Sequence, residues 1–149
     1  MAEIVEESSI ARSPAAVWAA LADFGDISRW APNVEHSCLT TGQAEGAGAV
    51  RRVQVGRNAL LERVVEWEPG HRLSYAIEGM PPVVRSVTNT WQLDGSDGST
   101  AVTLTTRIDT GPRPPQQVVA RVFGRVLAKA SREMLTGLKT SLEAEDAIA

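Results

Sequence analysis

The 149-residue sequence predicts an α+β fold, in which a run of antiparallel strands is flanked by helices at both chain ends. Three observations carry this. Between about residue 34 and residue 110 apolar residues recur with a period of two, and no helical stretch intervenes. Ala15 to Asp23 and Gln116 to Leu142 instead show helical spacing. Glycine- and proline-containing turns divide the period-two run into six segments of strand length, and one strand precedes the first helix, making seven.

Taken in order, residues 3 to 12 (EIVEESSIAR) mix β-branched and polar residues and stop at Ser13-Pro14, which makes them the first strand. Ser13 is a good N-cap and Pro14 suits the first helical position. A helix therefore follows at once, with Val17, Trp18, Leu21 and Phe24 at helical spacing and Gly25 at its end. Asp26 caps a second short helix through Trp30, which Pro32 stops. The next strands are 34–41, 48–56, 59–68, 71–79, 83–93 and 99–110, joined by the turns GQAEGAG, GRN, EPGH, GMPP and DGSDGS. Gly56 and Asn58 tolerate positive φ, and Pro69-Gly70 suits a tight turn. Alternation puts Leu73, Tyr75 and Ile77 on one face of their strand, and Val102, Leu104 and Ile108 on one face of theirs. Beyond the breaker Gly111 to Pro115, apolar residues Val119, Val122, Phe123, Val126, Leu127, Ala130, Met134 and Leu138 mark one amphipathic helix. Its length of roughly 40 Å, at about 1.5 Å per residue, is enough to cross a whole sheet.

Composition narrows the class. The chain is long enough for one sizeable core and too short for two typical ones, so residues 1–149 read as a single domain. A 43% hydrophobic content, with 12 glycines besides, is that of a globular protein and argues against disorder. A net charge of −3 argues against a general nucleic-acid binder. Cys38, the single cysteine, cannot form an internal disulfide, and with only two histidines there are too few ligands for a structural zinc site. Glu3, Glu6 and Glu7 stand where a secretory signal needs basic and then apolar residues, and no run approaches the roughly 18 apolar residues of a membrane span. The expectation is a cytoplasmic protein without stable membrane insertion.

Motifs for covalent or metal chemistry are scarce. His71 lies in a turn and reads as an exposed loop residue, and His36 reads as surface or the rim of a pocket. Cys38 has no adjacent cation or helix start to activate it and reads as a buried, inert thiol. There is no GxSxG and no SxxK. Gly42, Gly46 and Gly48 do not make GxGxxG and belong to a hairpin loop. Arg121, Arg125, Lys129 and Arg132 form a basic stripe on the last helix that reads as a solvated face, with acidic lipid or nucleic acid as the alternative contact.

Polar residues also recur within the strands: Arg51, Arg52, Glu62, Arg63, Glu66, Arg85 and Asn89. Alternation places Arg85, Val87, Asn89 and Trp91 on one side, and Leu61, Arg63, Val65 and Trp67 on one side. Apolar walls with a few donors and acceptors make a small-molecule site if such a face is concave, and a salt-bridged outer face if it is not. The sequence leaves both open. Trp18 reads as core, and Trp30, beside Pro32, as an entrance residue or a lid packed on the sheet.

This order of elements resembles the START-like, Bet v 1-like (SRPBCC) superfamily with its helix-grip fold. Particular stretches look like its polyketide cyclase/dehydrase branch. They are Ser13 to Trp18 with Phe24, Ile27 to Pro32, Gly46 to Arg51, Glu62-Arg63-Val64 with Trp67-Glu68-Pro69, Arg72 to Tyr75, and Thr90-Trp91. The resemblance covers nearly the whole chain. It implies a curved seven-stranded antiparallel sheet wrapped around the long C-terminal helix, with two short helices after strand 1. It also implies a cavity between sheet and helix for a lipid, polyketide or aromatic metabolite, lined by Trp30, Tyr75, Ile77, Arg85, Asn89, Phe123, Leu127 and Met134.

The leading expectation is a protein that binds a small hydrophobic molecule without cofactor or metal. Burying roughly 300 Å² of ligand at about 25 cal/mol per Å² gives about 7 to 8 kcal/mol gross, which ordering costs reduce to micromolar affinity or weaker. The alternative is an aromatase/cyclase-dehydratase acting on a poly-ketone by positioning, without a metal or a covalent nucleophile, with Tyr75, Arg85 and Asn89 as the candidate catalytic groups. A protein-interaction module using the basic helix face is the third reading, and weak homodimerisation is left open.

Overall fold

The computed structural model describes residues 2–81, 84–96, 98–111 and 114–148. Its elements run β1 (Ala2–Ile10), α1 (Pro14–Ala22), a 3₁₀ segment (Phe24–Arg29), β2 (His36–Leu39), β3 (Val50–Val55), β4 (Asn58–Glu68), β5 (Arg72–Glu78), β6 (Ser86–Ser96), β7 (Ser99–Asp109) and α2 (Pro114–Ile148). Val83 at the start of the expected fifth inner strand, turn residues Pro82 and Asp97, and Pro112 and Arg113 of the breaker lie outside the described residues, as does the side chain of Val119.

All seven strands form one antiparallel sheet in the order β1-β7-β6-β5-β4-β3-β2. Strands 2 to 7 make a meander, and β1 closes beside β7, pairing Ala2 with Ile108 through to Ile10 with Thr100. The first and second strands therefore sit at opposite edges, and α1 with the 3₁₀ segment bridges the distance between them. Helix α2 packs over the inner face. This is the helix-grip fold.

Local chemistry explains the boundaries. The Ser13 hydroxyl accepts from the Ala16 N–H, capping α1, and Pro14 occupies a position whose N–H has no helical partner. The helix ends at Ala22, and Asp26, expected as a cap, instead sits inside the 3₁₀ segment with non-helical angles (φ −113°, ψ 29°). Gly56, at φ +61°, takes the first place in the two-residue turn between β3 and β4, where a side chain would be strained. In α2 the prolines 114 and 115 stand in the first turn, so the helix opens two residues ahead of the expected Gln116, and it runs six residues further at its other end, to Ile148 rather than Leu142.

The core lies between sheet and helices. From the sheet it takes Val53, Val64, Leu73, Tyr75, Trp91, Val102 and Leu104; from α1 and the segment after it Val17, Leu21, Phe24, Ile27 and Trp30; from α2 Met134, Leu135, Leu138 and Leu142. The helical stripe differs from expectation in its first half, where Val122 and Val126 face solvent and Phe123 and Leu127 turn toward the sheet. The far half of α2 is held at the β1–α1 junction. Glu143 accepts from the Ala11 N–H at 3.0 Å, and Arg12 donates to the Leu142 carbonyl at 2.8 Å. No helix among the described residues is long and apolar enough to cross a membrane.

Candidate ligand-binding site

Between the sheet and the first half of α2 lies a cavity of about 100 Å³. Val53 and Val55 of β3, Leu60 of β4, Ile77 of β5 and Met80 form one wall; Leu127, Ala130 and Met134 of α2 form the other; Ile27 and Val34 close an end. Three polar residues interrupt this apolar lining: Asn33, Glu62 and Asn89. The space is smaller than the roughly 300 Å³ or more that encloses a drug-sized ligand. It suits a compact guest, and a larger one requires the flexible chains of Met80 and Met134 to move aside. A wider groove of about 480 Å³ beside α1 is open on the outer surface, edged by Asp23 and Glu45. It lacks the buried polar groups that would orient a ligand.

Two of the three polar residues of the inner cavity, Glu62 and Asn89, are held from behind. Glu62 takes Arg51 at 2.7 Å on Oε1, and Arg51 also donates to the Phe24 carbonyl at 2.9 Å. Asn89 donates to the Tyr75 hydroxyl at 3.4 Å and accepts from Thr106 at 2.6 Å; Thr106 in turn lies 3.3 Å from the Ser131 hydroxyl of α2. Trp91 Nε1 donates to the same Tyr75 oxygen at 3.1 Å. Burial, reinforced by the negative charge of Glu62, pushes the Tyr75 phenol above its ordinary pKa, against the opposing effects of Arg51 and the two donors. Asn33 Oδ1 is buried with no hydrogen-bond partner among the described residues.

Of the residues expected from sequence, Ile77, Asn89, Leu127 and Met134 line this cavity. Tyr75 is fully buried one layer behind, touching the cavity through Asn89. Trp30 is buried rather than at an entrance, its ring edge-on to Trp91 at 5.7 Å. Phe123 packs partly buried in a small cluster with Val84, Val87 and Ile108. Arg85 is exposed just ahead of β6 and is not brought to the cavity; its backbone N–H donates to the Asp109 carbonyl. Cys38, expected buried, is exposed on the short edge strand β2, and His36 is exposed there too.

Glu62, Asn33 and the buried Arg51 behind them are the site groups that sequence reasoning left unassigned. The signal existed. A two-residue turn at Gly56-Arg57 sets Arg51 opposite Glu62, so opposite charges face each other within an apolar alternation of Val53, Leu60 and Val64.

A model of the family described as polyketide cyclase / dehydrase and lipid transport matches residues 1–143. The chain belongs to this family. Comparison with curated proteins gives no match. Among solved structures, the Zhui aromatase/cyclase from Streptomyces sp. R1128 superposes with a TM-score of 0.79 at 20% identity, over 95% of this chain and 93% of that one. The di-domain aromatase/cyclase BexL from the BE-7585A biosynthetic pathway gives 0.79 at 20% identity, over 96% of this chain and 47% of that one. Ara h 8.0201 gives 0.73 at 19% identity, over 96% and 98%. At these identities the likeness is one of fold.

Proposed function

We propose that this family member binds a compact hydrophobic molecule in the cavity between the sheet and α2. The observation that carries the reading is an apolar cavity with three polar residues at its wall, the usual composition of a small-molecule site. Binding needs only this. Native mass spectrometry of freshly purified protein, set against the denatured mass, is expected to show a co-purified hydrophobic molecule or an empty cavity open to one. Calorimetric titration with 4-ethylphenol then decides the site. Ala130→Leu adds bulk into the cavity from a half-buried helical position and is expected to weaken binding about tenfold or more. Equal affinity in both proteins, or no binding to either, would overturn the reading.

The family description also favours an aromatase/cyclase reading. Of its three candidate groups only Asn89 reaches the cavity wall, which is why binding ranks first. Loss of turnover of a poly-ketone substrate in Asn89→Ala, with the fold retained, would reverse that order.

A further inference from the structure

The polar groups of the cavity narrow the chemistry of its guest, an inference that rests on the binding reading above. Glu62 presents a carboxylate whose Oε1 is engaged by Arg51 at 2.7 Å, through both Nε and Nη2. Its Oε2 accepts no hydrogen bond among the described residues. A salt-bridged carboxylate offers acceptors only. Asn33 Oδ1, on the same lining, is a buried acceptor without a donor. The carbonyl of Asn89 is already satisfied by Thr106 at 2.6 Å.

An apolar cavity with unmet acceptors at its wall stabilises a guest that brings a donor. It disfavours one that brings a carbonyl or ether oxygen, because two sets of lone pairs would then face each other without water between them. We infer that the cavity selects a hydroxyl-bearing hydrophobic molecule, an aryl or alkyl alcohol that donates to Glu62 Oε2, over the ketone or ether of the same shape. A fully ketonic substrate is the wrong complement to the Glu62 carboxylate.

The test uses three single-ring probes of matched size: 4-ethylphenol, its methyl ether 4-ethylanisole, and 4-ethylbenzaldehyde. Calorimetric or tryptophan-fluorescence titration of the wild-type chain is expected to give a dissociation constant for the phenol about ten- to a hundredfold below those of the other two. Glu62→Gln, which replaces one acceptor oxygen by a donor, is expected to shrink that gap several-fold. If Glu62→Gln fails to fold once its pairing with Arg51 is weakened, Asn33→Ala replaces it in the same comparison. Equal binding of all three probes would overturn the inference while leaving the cavity as a binding site. Tighter binding of the aldehyde, or a phenol preference that survives both variants unchanged, would overturn it as well. If no probe binds, both the inference and the reading beneath it fall.

Discussion

Arg51 on β3 lies directly across from Glu62 on β4, and the two close a buried ion pair with nitrogen–oxygen distances of 2.7 Å. Arg51 is only 2% exposed, and its guanidinium sits 3.8 Å from the Phe24 ring centroid and 4.6 Å from that of Tyr75. One side chain thus ties three strands to the 3₁₀ segment. Taking two charges out of water costs several kcal/mol, which good geometry offsets only while both partners are present. Arg51→Met is therefore expected to lower the unfolding free energy by about 3 to 5 kcal/mol in urea titration. The double variant Arg51→Met/Glu62→Leu is expected to recover at least half of that. A single variant within about 1 kcal/mol of wild type would show that the pair is not what holds these elements together.

Tyr75 gives a pH prediction with an unambiguous probe, since it is the chain's only tyrosine. Burial is the first cause of its raised pKa and the charge of Glu62 the second. The folded state therefore retains a proton that the unfolded chain releases near pH 10, so this contribution to stability is intact below about pH 10 and is lost as pH rises through the folded value. The tyrosinate absorbance of the native protein is expected to appear above the pH of a free tyrosine, together with unfolding. Thermal melts of Tyr75→Phe are expected to decline less steeply over the same alkaline range. A native protein that titrates like free tyrosine with its fold intact would contradict this.

A relay of hydrogen bonds runs from Trp91 through Tyr75, Asn89 and Thr106 to Ser131 on α2. Its links are unequal. Thr106 donates to Asn89 at 2.6 Å, whereas its contact with Ser131 is 3.3 Å. Thr106→Val keeps the shape and leaves the Asn89 carbonyl without its donor, at an expected cost of about 1 to 3 kcal/mol. Ser131→Ala is expected to cost about 1 kcal/mol or less. Chemical denaturation of the two variants side by side checks the ranking, and the reverse order would refute it.

Strand periodicity and turn chemistry made the sheet legible almost strand for strand, because every hairpin turn is local and announces itself in glycine, proline or asparagine. The inward face was harder. The series Leu61, Arg63, Val65, Trp67 looks continuous by alternation, yet a bulge between Val64 and Glu66 breaks it, so Leu61 and Val65 face solvent while Trp67 turns in against Trp18 at 5.2 Å. An extra residue in one strand leaves no mark in composition. Arg85 shares nominal alternation with Asn89 but precedes the paired part of β6, where alternation no longer fixes direction. Arg51 was hidden for a different reason: burial of an arginine depends on a partner that only the hairpin register brings opposite it.

Two glycines of α2 make opposite predictions from the same substitution. In a helix interior, alanine is ordinarily better than glycine by about 1 kcal/mol, because it restricts the unfolded chain and shields the backbone. At Gly124 a Cβ would meet only the Ile4 Cδ1 at 3.5 Å, an ordinary contact. Gly124→Ala is accordingly expected to stabilise by about 0.5 to 1 kcal/mol. At Gly137 a Cβ would collide with the Trp30 carbonyl oxygen and with Pro32 Cδ at 2.5 Å, both belonging to the segment that leads from the 3₁₀ turn to β2. That neighbour is backbone and a proline ring, so it cannot swing away. Gly137→Ala must push α2 off the Trp30–Pro32 segment, and it is expected to destabilise by about 1 to 3 kcal/mol despite its better helix propensity. The helix there also carries Met134 into the cavity wall, so the displacement is expected to change guest affinity as well as stability. Melting curves and 4-ethylphenol titrations of both variants provide the check. Stabilisation at both positions would mean that α2 does not rest on the Trp30 segment as closely as the geometry requires.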